Sequence, residues 1–384
     1  MYYITTRQKV KEQQISWLDL LNDEDPLTDY AQPTGSAGTV TRCVDKIKPE
    51  ILAKTNVSGM IKILKEYNER HKNLYETDKR KLYRHFTIPK RSGGLRPIDA
   101  PCDELQNALA ELKDILEQKF GLLYHTAAFA YVKERSTVQE VRKHQVNNSN
   151  WFFKTDLSGF FPSTTLEFTM RMMAMIYPTS EICKDPDGRT ELMKALSLGF
   201  LNGGLPQGTK LSPTLVNIVF LPMDHRIFGE LTKRRYVYTR YADDIHISCV
   251  QKFDPKKMTN YIRKVLKEFG APYILKEEKT TFGRKNGSSS NWILGVNLNK
   301  DNNITVGWEK KKFFKSATNN LIMDYKHGKS WPIEDVQHYS GLLSYYKMVE
   351  PEYFKDLIKR FNDKYNVNVA QILKRLLSGS AQSW

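Results

Sequence analysis

Three carboxylates carry the first chemical signal in the chain. Asp243 and Asp244 lie in Tyr241-Ala242-Asp243-Asp244, between the β-prone runs 236–241 and 245–250. The pattern predicts two strands about a tight turn, with Ile245, Ile247 and Cys249 on a half-buried face. Asp156 ends another β-prone run, 152–156, and is followed by Gly159. Like charges a few ångström apart disfavour each other's ionisation, so acids gathered at two strand ends call for a cation. Three of them suit two magnesium ions (Mg²⁺) and in-line phosphoryl displacement. An Asp-Asp pair alone is better explained by a solvated hairpin tip; the third acid moves the balance.

Several elements must position these acids. Phe86 to Ile98 reads as two short strands across a Ser92-Gly93-Gly94 turn, a basic hairpin carrying Lys90 and Arg96. Leu105, Leu109, Leu112, Leu116 and Phe120 recur at helical spacing, which suggests packing rather than chemistry. Thr164 and Glu167 form a capping-box pair opening a helix whose Met170, Met172, Met173 and Met175 fill core, and 183–189 reads as a turn. Ser212-Pro213 reads as an N-cap followed by Pro at the first helical position. That helix would carry Leu215, Val216, Val219 and Phe220, and it places Gln207 and Gly208 on a loop feeding its N-terminus. Asp254-Pro255 opens another helix, with Met258, Tyr261, Ile262, Val265, Leu266 and Phe269 as its stripe and Gly270 as its close. Residues 46–72 suggest helices interrupted near Ser58-Gly59, 1–21 a short helix, and 22–38 a linker. The chain turns helical and basic from Trp308, where Tyr353, Phe354, Leu357, Ile358 and Phe361 share a face.

With 384 residues and a formal net charge of +16, at a pI near 9.4, the chain is suited to a polyanionic partner, nucleic acid first. No apolar run approaches the roughly 20 residues of a spanning helix, so no membrane role is expected. Cys43, Cys102, Cys183 and Cys249 are far apart without CxxC pairing, which suits a reduced, cytoplasmic protein without structural zinc.

Asp156-x-x-x-Phe160-Phe161, Leu205-Pro206-Gln207-Gly208 and Tyr241-Ala242-Asp243-Asp244 resemble, in order and spacing, motifs A, B and C of the reverse transcriptases. They are most similar to the bacterial enzymes related to retrons and group II introns, and the likeness runs from about Phe86 to the C-terminus. The resemblance implies an α+β right-hand polymerase with an arm and linker at 1–45, fingers at 46–150, a palm of antiparallel sheet and helices at 151–305 and a helical thumb at 306–384. It implies an RNA-directed DNA polymerase adding deoxynucleotides to a primer 3′-hydroxyl. Asp156 and Asp243 would hold two Mg²⁺ ions, with Mn²⁺ as a substitute and Asp244 as the more peripheral acid.

Within the same resemblance Lys90 and Arg96 hold the incoming triphosphate, Arg96 by a bidentate contact. Phe161 is the steric gate against a 2′-hydroxyl, with Phe160 as a core aromatic. Gln207 and Gly208 meet the nucleotide or template base. Lys279 is a candidate general acid for pyrophosphate in the motif D-like run 273–282, and Lys276 competes with it. The run 292–299 is similar to a primer grip, and His246 reads as a spectator pointing away from the apolar face. Glu140-Val141-Arg142-Lys143-His144 and Ile293-Leu294-Gly295 share the His of the retron Asn-Ala-x-x-His element and the Gly of Val-Thr-Gly.

The intact Leu205-Pro206-Gln207-Gly208 argues against the diversity-generating group. No zinc-finger, endonuclease or RNase H segment is expected after the thumb. The implied partners are a structured noncoding RNA template, DNA product, dNTPs and an effector protein, in a retron-like or antiphage defence setting. Two alternatives stand beside this: an untemplated or protein-primed polymerase of the abortive-infection type, and a non-catalytic RNA-binding scaffold.

Overall fold

The computed structural model describes residues 56–89, 93–285 and 293–378. The expectations for the arm at 1–45, for Lys90 and for Trp292 lie outside the described residues. The chain forms two compact units. The first takes the chain up to Arg135, then Lys154–Ile247 and Phe253–Thr280. The second takes Ser136–Phe153, Ser248–Lys252 and the chain from Thr281 onward.

The first unit begins with helices α1 (Val57–Arg70) and α2 (Lys72–Glu76). Asn56 caps α1 by accepting from Gly59 N, so Ser58 and Gly59 sit in its first turn rather than at an interruption. Strands β1 (Tyr83–Pro89) and β2 (Leu95–Pro101) form an antiparallel hairpin with Ile88 opposite Arg96, longer than expected but of the expected kind. Helix α3 (Asp103–Asp114) runs on into a π-turn at Ile115–Lys119, and all five of its spaced apolar residues are buried.

Helix α4 (Thr137–Val146) opens the second unit, and β3 (Trp151–Ser158) follows it. Next come the short α5 (Phe160–Ser163) and α6 (Leu166–Met173). The cap of α6 is Thr165, which accepts from Phe168 N; Thr164 instead donates to Phe160 O and meets the Tyr273 hydroxyl. The cap is therefore displaced by one residue, and with Phe168 rather than an acid three residues on, it is a simple cap and not the expected capping box. Residues 183–189 are not a simple turn, since α7 (Thr179–Lys184) ends there and α8 (Pro186–Ser197) starts, with Asp185 accepting from Gly188 N.

Helix α9 (Leu211–Lys233) is buried on nearly every side, as befits a helix at the centre of a core. It starts earlier than expected: Thr209 Oγ1, not Ser212, accepts at the N-terminus, from Ser212 N at 3.1 Å. Strands β4 (Val237–Tyr241) and β5 (Asp244–Cys249) flank the acid turn, as the pattern predicts. His246 corrects the half-buried picture of β5, because it is buried at 4% exposure beside buried Ile245 and Ile247. The strand is covered on both faces, so alternation there does not mark a wet side.

Helix α10 (Pro255–Glu268) has its predicted stripe in the core and Asp254 as its cap. Strand β6 (Ile274–Leu275) pairs antiparallel with β3, Leu157 opposite Leu275, completing the order β4-β5-β3-β6.

In the second unit β7 (Thr281–Arg284) pairs with β3, and β8 (Asn297–Leu298) pairs with β9 (Ile304–Thr305). Helices α11 (Trp308–Lys326), α12 (Ile333–Val349), α13 (Pro351–Tyr365) and α14 (Val369–Leu377) complete it. Phe314 is the centre of its core, stacked on Tyr339 and edge-on to Tyr346 and Phe354. His144 is buried here, its Nδ1 2.6 Å from Ser248 Oγ. No helix among the described residues is long and apolar enough to cross a membrane.

Candidate active site

Asp156 stands near the end of β3 at 8% exposure. Asp243 follows Ala242, whose φ of +57° makes the tight left-handed step between β4 and β5. Leu157 N donates to Asp243 O at 3.1 Å, so pairing of the two strands brings the two acids side by side. Burial, then the charge of Asp156, holds the Asp243 carboxyl above the usual range, while Lys276 and Lys279 pull it back. Asp244 stands apart, next to Lys154, whose amino group burial pulls down to about 8 against the Asp244 charge.

Both lysines of the motif D-like run reach Asp156. Lys276 Nζ lies 2.6 Å from Oδ1 and Lys279 Nζ 3.4 Å from Oδ2, and Lys276 N donates to Asp156 O at 2.9 Å. Burial opposes the Lys276 charge, yet the hydrogen bond and charge of Asp156 outweigh it and keep that amine strongly basic. Lys276 therefore holds the tighter contact of the two.

Among the described residues no three His, Cys, Asp or Glu side chains converge as a metal-holding group. The donors nonetheless fit a hard divalent cation: one carboxylate on β3 and one in the adjoining β4–β5 turn, the latter with its charge disfavoured by burial and by its neighbour. The two lysines against Asp156 show that this position accepts positive charge.

The walls are built from α5 and the loop before α9. Phe160 is buried against Phe220 and Tyr273, a core residue as expected. Phe161 is half-buried, edge-on to Phe160 and to Tyr131. Leu205 N donates to Phe161 O at 3.1 Å, tying the two segments together. A Cβ on Gly204 would lie 2.0 Å from Pro162 O, so only glycine permits this approach. Gly208, at φ +126°, is equally constrained, because its Cβ would lie 2.8 Å from Asp99 O. Asp99 N donates to Gln207 O at 2.7 Å, so the loop is hung on β2. Arg96, exposed on β2, is close enough for its charge to act on the Tyr131 phenol.

Other residues bear on the site without having been singled out from the sequence. Arg240 is wholly buried and forks onto Asp224 of α9, Nη2 to Oδ2 at 2.7 Å and Nε to Oδ1 at 2.9 Å. Its Nη1 donates to Ala242 O at 3.0 Å, and so it fixes the carbonyl that starts the acid turn. Tyr238 donates to the same Asp224 at 2.6 Å. Tyr131 and Gly204 carry no marker of their own in the sequence, whereas Arg240 is marked as a charge inside the β-prone run 236–241.

A β-sheet with one acid on β3 and another in the β4–β5 turn beside it, a buried helix behind it and a basic hairpin tied to the motif B loop define a right-hand polymerase. The chain belongs to the reverse transcriptase (RNA-dependent DNA polymerase) family, whose model matches residues 88–319, more than half of the chain. It is 27% identical over 308 residues to the retron Ec83 reverse transcriptase of Escherichia coli, covering 77% of this chain and 91% of that one. It is 27% identical over 355 residues to the retron Mx65 reverse transcriptase of Myxococcus xanthus, covering 89% and 75%. Among solved structures, apo telomerase from Candida tropicalis superposes with a TM-score of 0.43 at 14% identity, covering 78% of this chain and 63% of that chain, a likeness too slight to carry weight. The expected kinship with bacterial retron and group II intron-like enzymes is borne out, and the protein is an RNA-directed DNA polymerase.

Proposed function

We propose that this polymerase extends a primer 3′-hydroxyl with dNTPs by two-metal catalysis, copying a dedicated structured noncoding RNA in a retron-like setting. The observation that supports it is the juxtaposition of Asp156 on β3 with Asp243 in the β4–β5 turn, tied by Leu157 N donating to Asp243 O. Bound Mg²⁺ ions would supply activation of the primer hydroxyl and neutralisation of pyrophosphate. Asp156 and Asp243 hold them, with Asp244 outside that pair.

Lys276 and Lys279 serve as proton donors to the leaving pyrophosphate, Arg96 and Lys90 bind the triphosphate, and Phe161 closes the space beneath the sugar. Gln207 and Gly208 line the base side. The fingers at 46–150, palm at 151–305 and thumb at 306–384 are the functional division we adopt. An antiphage role with an effector partner, in the bacterial cytoplasm, goes with the retron likeness.

Sequencing the nucleic acid that co-purifies with the protein, before and after RNase, tests the templated reading. A discrete RNA with complementary DNA is the expected result. Homopolymeric DNA would support the untemplated alternative, and RNA without DNA the scaffold.

A further inference from the structure

Tyr131 has the marks of a residue held in place for use. It lies in a turn, 53% exposed, yet its φ is +60°, a conformation that bulky side chains avoid without compensation. The compensation is visible on both sides of it. Asn217 Nδ2, from buried α9, donates to Ala130 O at 2.9 Å. Phe129 N donates to Arg240 O at 2.8 Å and Arg240 N to Ala127 O at 2.7 Å, which clips the loop onto β4. Arg135 Nη1 adds a bond to His125 O at 2.6 Å. The loop is thus anchored to the strand and helix that build the acid site.

So fixed, the Tyr131 ring meets Phe161 edge-on, with centroids 6.3 Å apart and planes at 71°. On its other side Phe161 meets Phe160 at 5.8 Å and 80°. The Phe161 ring therefore stands between a buried aromatic and an exposed one. Desolvation of the Tyr131 phenol, then the charges of Asp243 and Tyr241, push it above its ordinary value, and Arg96 pulls it back. The phenol therefore lies within electrostatic reach of both the acid turn and the basic hairpin.

We propose that Tyr131 is a positioning residue for sugar selection, its ring edge holding Phe161 in the orientation that excludes a 2′-hydroxyl. This rests on the gate role of Phe161, and it assigns the outer half of that gate to a loop far from it in sequence. Phe160 packs the inner side and cannot yield, whereas the outer side is kept by Tyr131. Removing the Tyr131 ring gives Phe161 room to rotate outward and admit the extra hydroxyl.

The test is single-nucleotide primer extension, reading the ratio of kcat/KM for a dNTP to that for the matching rNTP. Tyr131→Ala should lower this preference about two- to tenfold, the size of effect an edge-on aromatic pair supplies. Tyr131→Gly should do the same while accepting the left-handed backbone, so strain is not the cause. Tyr131→Phe keeps the ring and should keep the preference. Phe161→Ala should relax selection further, and adding Tyr131→Ala to it should change nothing more. An unchanged ratio in Tyr131→Ala and Tyr131→Gly, with Phe161→Ala relaxed, overturns the proposal and leaves the gate standing. No relaxation in Phe161→Ala removes the gate itself. A loss in Tyr131→Phe as large as in Tyr131→Ala would assign the effect to the hydroxyl and overturn the ring-edge role.

Discussion

Burial and the neighbouring charge of Asp156 disfavour the ionised form of Asp243, and Asp156 itself is buried against Lys276 and Lys279. A carboxyl raised by burial beside a specific charge partner is the expected signature of a functional site. Asp156→Asn and Asp243→Asn keep the shape and remove the charge, so each should lower synthesis by about three orders of magnitude or more while the circular dichroism spectrum and unfolding midpoint stay near wild type. Gly208→Ala is different in kind. Its Cβ meets the Asp99 carbonyl at 2.8 Å and φ is +126°, so we expect a loss of stability on the order of 1–3 kcal/mol along with weaker nucleotide binding, read by urea unfolding and by KM. At this scale the acids, Phe161, Gln207 and Gly208 were legible because each sits in a short local pattern. Tyr131 was not, since its meaning comes only from where its loop is anchored.

Two buried histidines make a titration prediction. His125 accepts from Ala127 N at Nδ1, and burial lowers it to about 3; burial likewise lowers His225 to about 2. In the unfolded chain both take up protons below about pH 6.5. Stability should therefore be level above that pH and fall as pH drops from 6.5 towards 3, by on the order of 2 kcal/mol per histidine at pH 5. Urea midpoints at pH 7 and pH 5 measure it, and equal midpoints would contradict it.

Between elements, the fork of Arg240 on Asp224 links β4 to α9 and holds Ala242 O. Arg240→Met strands a buried carboxylate and should cost about 3–5 kcal/mol by urea denaturation. The strands around the acid turn and the helix from Asp254 were readable from spacing and capping chemistry. The start of α9 and the cap of α6 were not, because Thr209 and Thr165 sit one to three residues from equally good hydroxyl caps and tertiary bonds choose between them. His246 shows the same limit: alternation predicts which residues share a face, but not that a second layer covers the other one.

For the whole molecule the net charge of +16 predicts RNA binding that is steeply salt-dependent. With six or more phosphate contacts, affinity should fall about a thousandfold between 50 and 200 mM salt, measured by filter binding; a flat salt profile would argue against phosphate-driven recognition. The fold class was legible because three ordered motifs set the palm. The division into units was not, since β3 and β5 each pass from one unit to the other within a strand, and no composition boundary marks that. The most direct test is primer extension on a heteropolymeric RNA template with Mg²⁺ and all four dNTPs, comparing wild type with Asp156→Asn and Asp243→Asn. We predict full-length complementary DNA from wild type and none from either variant. Undiminished synthesis by both variants would contradict the assignment of these two acids.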